Sequence, residues 1–183
     1  MAQIPKFNGE PEIFPKFIRM FNTYVHETNV NVQKKWEALN SLLGDKEQWK
    51  LNGLDYNDYQ QVYNELVASY SQIDVIKQSV EKELAKIVPI KSENQVALLM
   101  NAVGKISALY SSLKAANSKD YLEGEFYRLI LTKIPSSLTD KIFDVTGSNH
   151  KADIHFYCKK LRELVMKRAI FRETLPTKLL SNL

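Results

Sequence analysis

The spacing of the apolar residues constrains this chain more than any other feature. Ile13, Phe17, Met20, Phe21 and Tyr24 recur at the intervals of one helix face, as do Val32, Trp36, Leu39 and Leu43. Tyr59, Val62, Tyr63 and Leu66 form a third stripe, and Ile76, Val80, Leu84 and Ile87 a fourth that Pro89 closes. The longest is Val96, Leu99, Val103, Ile106, Tyr110 and Leu113, preceded by Ser92 and Gln95 at capping-box spacing. Shorter stripes follow at Phe126, Leu129 and Ile130; at Leu138, Ile142 and Val145; and at Ile154, Tyr157, Leu161, Leu164 and Val165. No alternating strand pattern competes, and glycine and proline number only 6 each. Each stripe leaves a polar back, so the helices must bury their faces against one another. The expected fold is all-α, with helices bundled through short connections.

Turn residues punctuate the stripes at Asn8-Gly9-Glu10-Pro11, Gly44-Asp45, Asn52-Gly53 and Gly147-Ser148-Asn149, among others. The polar stretch Ser69-Tyr70-Ser71-Gln72 precedes a helix opened by Asp74, which places a boundary between lobes 1–72 and 73–183. No continuous run of about 18 apolar residues is present, so no membrane span is expected. Met1-Ala2-Gln3-Ile4-Pro5-Lys6 lacks a signal-peptide core. The single Cys158 excludes an internal disulfide and fits a reducing, cytoplasmic setting.

The net charge of +4 is uneven. Residues 151–183 hold eight Lys/Arg against three Asp/Glu. Lys159, Lys160, Arg168 and Arg172 stand out there as candidates for weak contact with RNA phosphate or an acidic partner. Together with Arg162 and Lys167, and interleaved with Leu161, Leu164 and Val165, the same residues also describe the solvated face of an ordinary amphipathic helix.

No catalytic constellation is visible, and neither an enzyme activity nor a cofactor or metal is expected. His150 and His155 are five apart, off one helix face, and His26 is isolated; all three read as loop or surface histidines. Cys158 reads as a buried thiol rather than a nucleophile. There is no Gly-rich phosphate loop, no GxSxG elbow, no CxxC pair and no zinc knuckle. Among the aromatics, Tyr56, Tyr127, Phe143 and Phe171 fall off the stripes, as interface anchors or as edge residues of a lobe.

The segment Ile4-Pro5-Lys6-Phe7-Asn8-Gly9-Glu10-Pro11-Glu12-Ile13-Phe14-Pro15-Lys16-Phe17, followed by Phe21, resembles the start of the Gag capsid of BEL/Pao-type long-terminal-repeat retroelements. Lys34-Lys35-Trp36-Glu37-Ala38-Leu39-Asn40-Ser41-Leu42-Leu43-Gly44-Asp45 is similar to a helix of that family. Asn52-Gly53-Leu54, the stretch 59–70, Ile87-Val88-Pro89-Ile90-Lys91-Ser92 and Lys133-Ile134-Pro135 follow in the family's order, so the resemblance covers residues 4–172. Gypsy-type capsids, retroviral capsids and Arc share the layout more distantly. The retroviral Gln/Gly/Glu major homology pattern is not evident around 90–104, so lattice details do not carry over.

The resemblance implies capsid-like N- and C-terminal lobes that assemble into a shell and package retroelement RNA. The partner is the chain itself, from dimer to pentamer or hexamer lattice, with RNA bound weakly and mostly through segments absent here. Shells would form in the cytoplasm. On a helix expected over 121–133, Tyr127 and Leu131 point away from the Leu122, Phe126, Leu129 and Ile130 face, and are the candidate contact between rings; a solvated helix back is the alternative. The first two helices are the candidates for contacts within a ring. Without its zinc knuckle, protease and polymerase, the chain would be an excised piece of a polyprotein or a shortened domesticated gene. The rival readings are a Gag-derived helical adaptor or scaffold and an RNA-binding protein using the basic last helix.

Overall fold

The computed structural model describes residues 4–146 and 153–174, except the side chains of 145–146 and 172–174. The expected turn at 147–149, His150 and the side chains of Val145 and Arg172 lie outside that description. Among the described residues the chain is all-α and has no strand. It divides into two compact units, Met1–Lys82 with Ser111–Ser118, and Glu83–Tyr110 with Lys119–Leu183. The boundary expected at 72/73 stands next to the two-residue break between α4 (Tyr59–Tyr70) and α5 (Ile73–Ala85), which separates helices and not compact units. The compact units themselves divide later, after Lys82.

The first unit is built on a leading arm. Phe7 lies in an isolated parallel bridge to Leu43: its N–H donates to the Leu42 carbonyl (2.8 Å), and its carbonyl accepts from Gly44 N–H (2.8 Å). Its fully buried ring stacks on Phe17 (5.2 Å, 21°) and meets Phe14 and Tyr70 edge-on (5.2 and 4.9 Å). Gly9, at φ +86°, turns the arm back toward α1 (Phe14–Phe21). A Cβ there would collide with the Glu47 carboxylate and press on the Tyr70 hydroxyl.

α1 does not keep the expected register. Phe14, Phe17, Phe21 and Val25 are buried, while Ile13 and Tyr24 are exposed. Ile13 is the N-cap residue before α1, and for Val25 and Tyr24 the cause is a π-helical turn over Asn22–His26, where the Thr23 hydroxyl donates to the Arg19 carbonyl (3.0 Å) and competes with the backbone ladder. The wider turn carries Val25 inward and swings Tyr24 to solvent. α2 (Val32–Leu42) is capped by the Asn31 side chain, which accepts from Lys34 N–H (2.9 Å). It buries Leu39, with Leu43 just beyond it, but leaves Val32 exposed in its first turn. α3 (Asp45–Gln48) follows, and α4 buries Tyr59, Val62 and Leu66 as the spacing predicts.

The long helix α6 (Val96–Ala115) belongs to the second unit as far as Tyr110, where it buries Val96, Leu99, Val103 and Ile106, and its last turn, from Ser111, groups with the first. Ser92 N–H donates to Gln95 Oε1 (3.4 Å) and the Ser92 hydroxyl accepts from Asn94 N–H (3.2 Å), close to the expected capping box. By mean hydropathy (1.3) α6 is the one described helix long and apolar enough to cross a membrane, a property the expected absence of an apolar run did not capture. With 44% of that stretch buried in protein, a core helix passes the same criterion.

α7 (Lys119–Tyr121), a second π-helical turn (Leu122–Phe126) and α8 (Tyr127–Leu131) then run on as one helical path. Gly124, a weak helix former, sits inside the widened turn. α9 (Ser136–Thr146) and α10 (Ile154–Thr174) complete the unit. Tyr157 is fully buried on α10 and shares a hydrogen bond with the Thr139 hydroxyl of α9 (3.0 Å). Glu93 gathers the ends of this unit, accepting from Lys141 (2.8 and 2.9 Å) and from Arg168.

Candidate functional site

Two polar clusters support the first unit from inside. Glu47 is buried and accepts from Tyr70 Oη (2.9 Å) and Lys50 Nζ; Lys50 also reaches Tyr70 Oη (3.3 Å) and lies over its ring (4.7 Å). Burial works against the Lys50 charge, but hydrogen bonds to Glu47 and Tyr70 outweigh it and raise the lysine pKa. Burial and the Glu47 acceptor raise that of Tyr70.

The second cluster hangs on the π turn. His26 stacks flat on Tyr63 (3.9 Å, 5°), its Nδ1 is hydrogen-bonded to Tyr59 Oη (2.6 Å), and Lys35 Nζ donates to its carbonyl (2.6 Å). The expectation of a loop or surface histidine is corrected here: its ring is part of the packing. Burial first, and the Lys35 charge second, lower its pKa below 6.5. The unfolded chain therefore takes up the proton first, so stability falls as pH drops below about 6.5. Urea midpoints at neutral pH and near pH 5.5 should show this loss, and His26→Gln should reduce it. An unchanged pH dependence in the variant would remove His26 as its source.

Outer surfaces carry the remaining candidates. In the first unit, Tyr24, Val30 and Val32 are exposed around the turn that joins α1 to α2, and Trp49 is exposed beside Lys50. In the second, Leu131 is half-buried at the end of α8. Tyr127 does not point away from the buried side, as expected. Its ring packs edge-on to Tyr157 (5.3 Å), and its hydroxyl is enclosed without a protein partner. Burial pushes its pKa up to about 12. The π turn just before it widens the helix and rotates Tyr127 inward. Of the other off-stripe aromatics, Phe143 also packs on Tyr157 (6.2 Å), whereas Tyr56 and Phe171 are exposed.

The basic candidates on α10 divide. Lys160 pairs with Glu163 (2.8 Å) and Arg168 with Glu93, so both charges are already engaged within the unit. Lys159 is exposed, and the Arg172 side chain is outside the described residues. Arg162 and Lys167, basic residues of the same stretch that are not among the contact candidates, are exposed as well. Their positions off the Ile154, Tyr157, Leu161 and Val165 face are the signal that could have found them. If this face binds single-stranded RNA, three free cations set a slope of log K against log salt of about −2. Fluorescence anisotropy across a salt series measures it, and a flat response would remove α10 as an RNA contact.

Cys158 is buried, and desolvation pushes its thiol up to about 12, which leaves almost no thiolate at neutral pH. Among the described residues no group of three His, Cys, Asp or Glu lies close enough together to hold a metal ion.

These features describe a helical protein whose candidate contact residues are apolar or basic and include no catalytic constellation among the described residues. The chain belongs to the family described as "protein of unknown function (DUF1759)", matched over residues 7–150. That family is found in retrotransposon Gag-like and polyprotein proteins. The match opens at the bridging Phe7 and stops short of α10. No curated protein and no solved structure matches the chain.

Proposed function

We propose that this chain is a structural Gag capsid protein of BEL/Pao type that assembles with copies of itself into a shell around retroelement RNA. The observation that carries the reading is the family match over residues 7–150 on an all-α chain of two compact units. Shell building needs no reaction centre. It needs rigid units whose outer faces make individually weak contacts, repeated by symmetry until the assembly is stable. The aromatic core around Phe7 and the Glu47 cluster supply rigidity in the first unit. Tyr24, Val30 and Val32, around the turn that joins the first two helices, are the apolar contacts within a ring. Leu131 is the contact between rings; Tyr127 supports it from inside through Tyr157. Lys159, Arg162 and Lys167 add a weak attraction to RNA.

Negative-stain electron microscopy of the concentrated chain at raised salt tests this directly. Shells, tubes or sheets are expected, and Tyr24→Ser with Val32→Ser should abolish them at unchanged helicity. The absence of any such assembly across salt and protein concentration would instead favour a Gag-derived adaptor.

A further inference from the structure

The second unit carries a groove apart from the residues assigned above to shell contacts. It lies between the connection after α5 and the first turns of α6, with a volume of about 350 Å³. Its exposed apolar residues are Val88 (76%), Leu98 (53%) and Pro89. Around them stand Lys86, Lys91 and Lys105, and no carboxylate lines it. Among the described residues only Lys86 of these three is held in an ion pair, by Glu83. The surrounding charge has the same sign: the unit formed by Glu83–Tyr110 and Lys119–Leu183 holds 15 Lys/Arg against 10 Asp/Glu, whereas the other unit holds 10 against 11.

We propose that this groove docks an extended acidic peptide segment whose aliphatic side chains cover Val88, Pro89 and Leu98 while its carboxylates meet Lys91 and Lys105. An apolar floor inside a cationic rim rewards a ligand carrying both features at side-chain spacing. The basic field of the unit steers such a ligand toward it. A nucleic acid is less well matched: the groove presents phosphate partners but no aromatic ring on which a base could stack.

Random peptides of about a dozen residues, displayed on phage and panned against the full chain, are the probe. Enriched sequences should combine two or more Asp or Glu with Leu, Ile or Val. Their affinity should fall about tenfold or more in Lys91→Glu with Lys105→Glu, and similarly in Leu98→Ser. Lys34→Glu with Lys46→Glu, an equal charge change in the first unit, should leave it near the wild-type value. All these positions are exposed, and circular dichroism checks that the variants remain folded. No enrichment, enrichment of peptides lacking carboxylates, or equal binding by the groove variants would overturn the proposal. So would a single-stranded RNA of similar length that binds more tightly and is weakened by the same substitutions. Particle formation is read separately, so this groove and the shell reading fail independently.

Discussion

Phe7→Ala should cost the first unit about 3–5 kcal/mol, as expected for deleting a fully buried aromatic ring. Phe7 precedes the first helix and would pass for an expendable lead-in, yet its ring touches Phe14, Phe17 and Tyr70 and its backbone bridges Leu43. Removing the ring leaves three aromatic neighbours facing a void that the backbone bridge prevents from closing. For a unit of this size the melting temperature should fall by about 15 °C or more. Urea unfolding followed by circular dichroism measures the loss. A cost below about 1 kcal/mol would mean that the arm is detached in solution.

Lys50→Met should cost about 2–4 kcal/mol, because it strands the Glu47 carboxylate in the interior with only the Tyr70 hydroxyl to satisfy it. The double variant Glu47→Gln with Lys50→Met should recover much of that loss, since neither partner is then charged. A double-mutant cycle reads the coupling; strictly additive losses would show that the two side chains do not depend on each other. The pH response is a second signature. Lys50 and Tyr70 both titrate above their free values. Their contribution is therefore intact below about pH 10 and lost as pH rises through the folded values.

Helices whose buried faces keep ordinary α-helical spacing were legible. α4, α5 and α6 bury the residues their stripes named: Tyr59, Val62 and Leu66; Ile76, Val80 and Leu84; Val96, Leu99, Val103 and Ile106. Spacing misleads where the helix widens. The π turn after α1 exchanged Tyr24 for Val25, and the one before α8 turned Tyr127 toward Tyr157. Apolar residues at successive intervals of four, Phe17-Phe21-Val25 and Leu122-Phe126-Ile130, are the trace these turns leave in the sequence. Long-range polar pairing left no such trace. Glu47 meets Tyr70 across 23 positions, His26 meets Tyr59 across 33, and Arg168 meets Glu93 across 75. Nothing local marks these partners, so Arg168 could not be told from the exposed cations of α10, whereas Lys160 stands three residues from its partner Glu163. The groove around Val88 went unread for a related reason: Pro89 signals the end of a helix but not what the chain beyond it encloses.

The division into two units also settles how the protein can be observed. Both tryptophans, Trp36 and Trp49, belong to the first unit, and the sole cysteine, Cys158, is buried in the second. Indole emission therefore reports the opening of one half, and the rate at which a thiol reagent gains access reports the other. In one unlabelled sample the two readings show whether the halves melt together or in sequence, and which of them a bound partner protects.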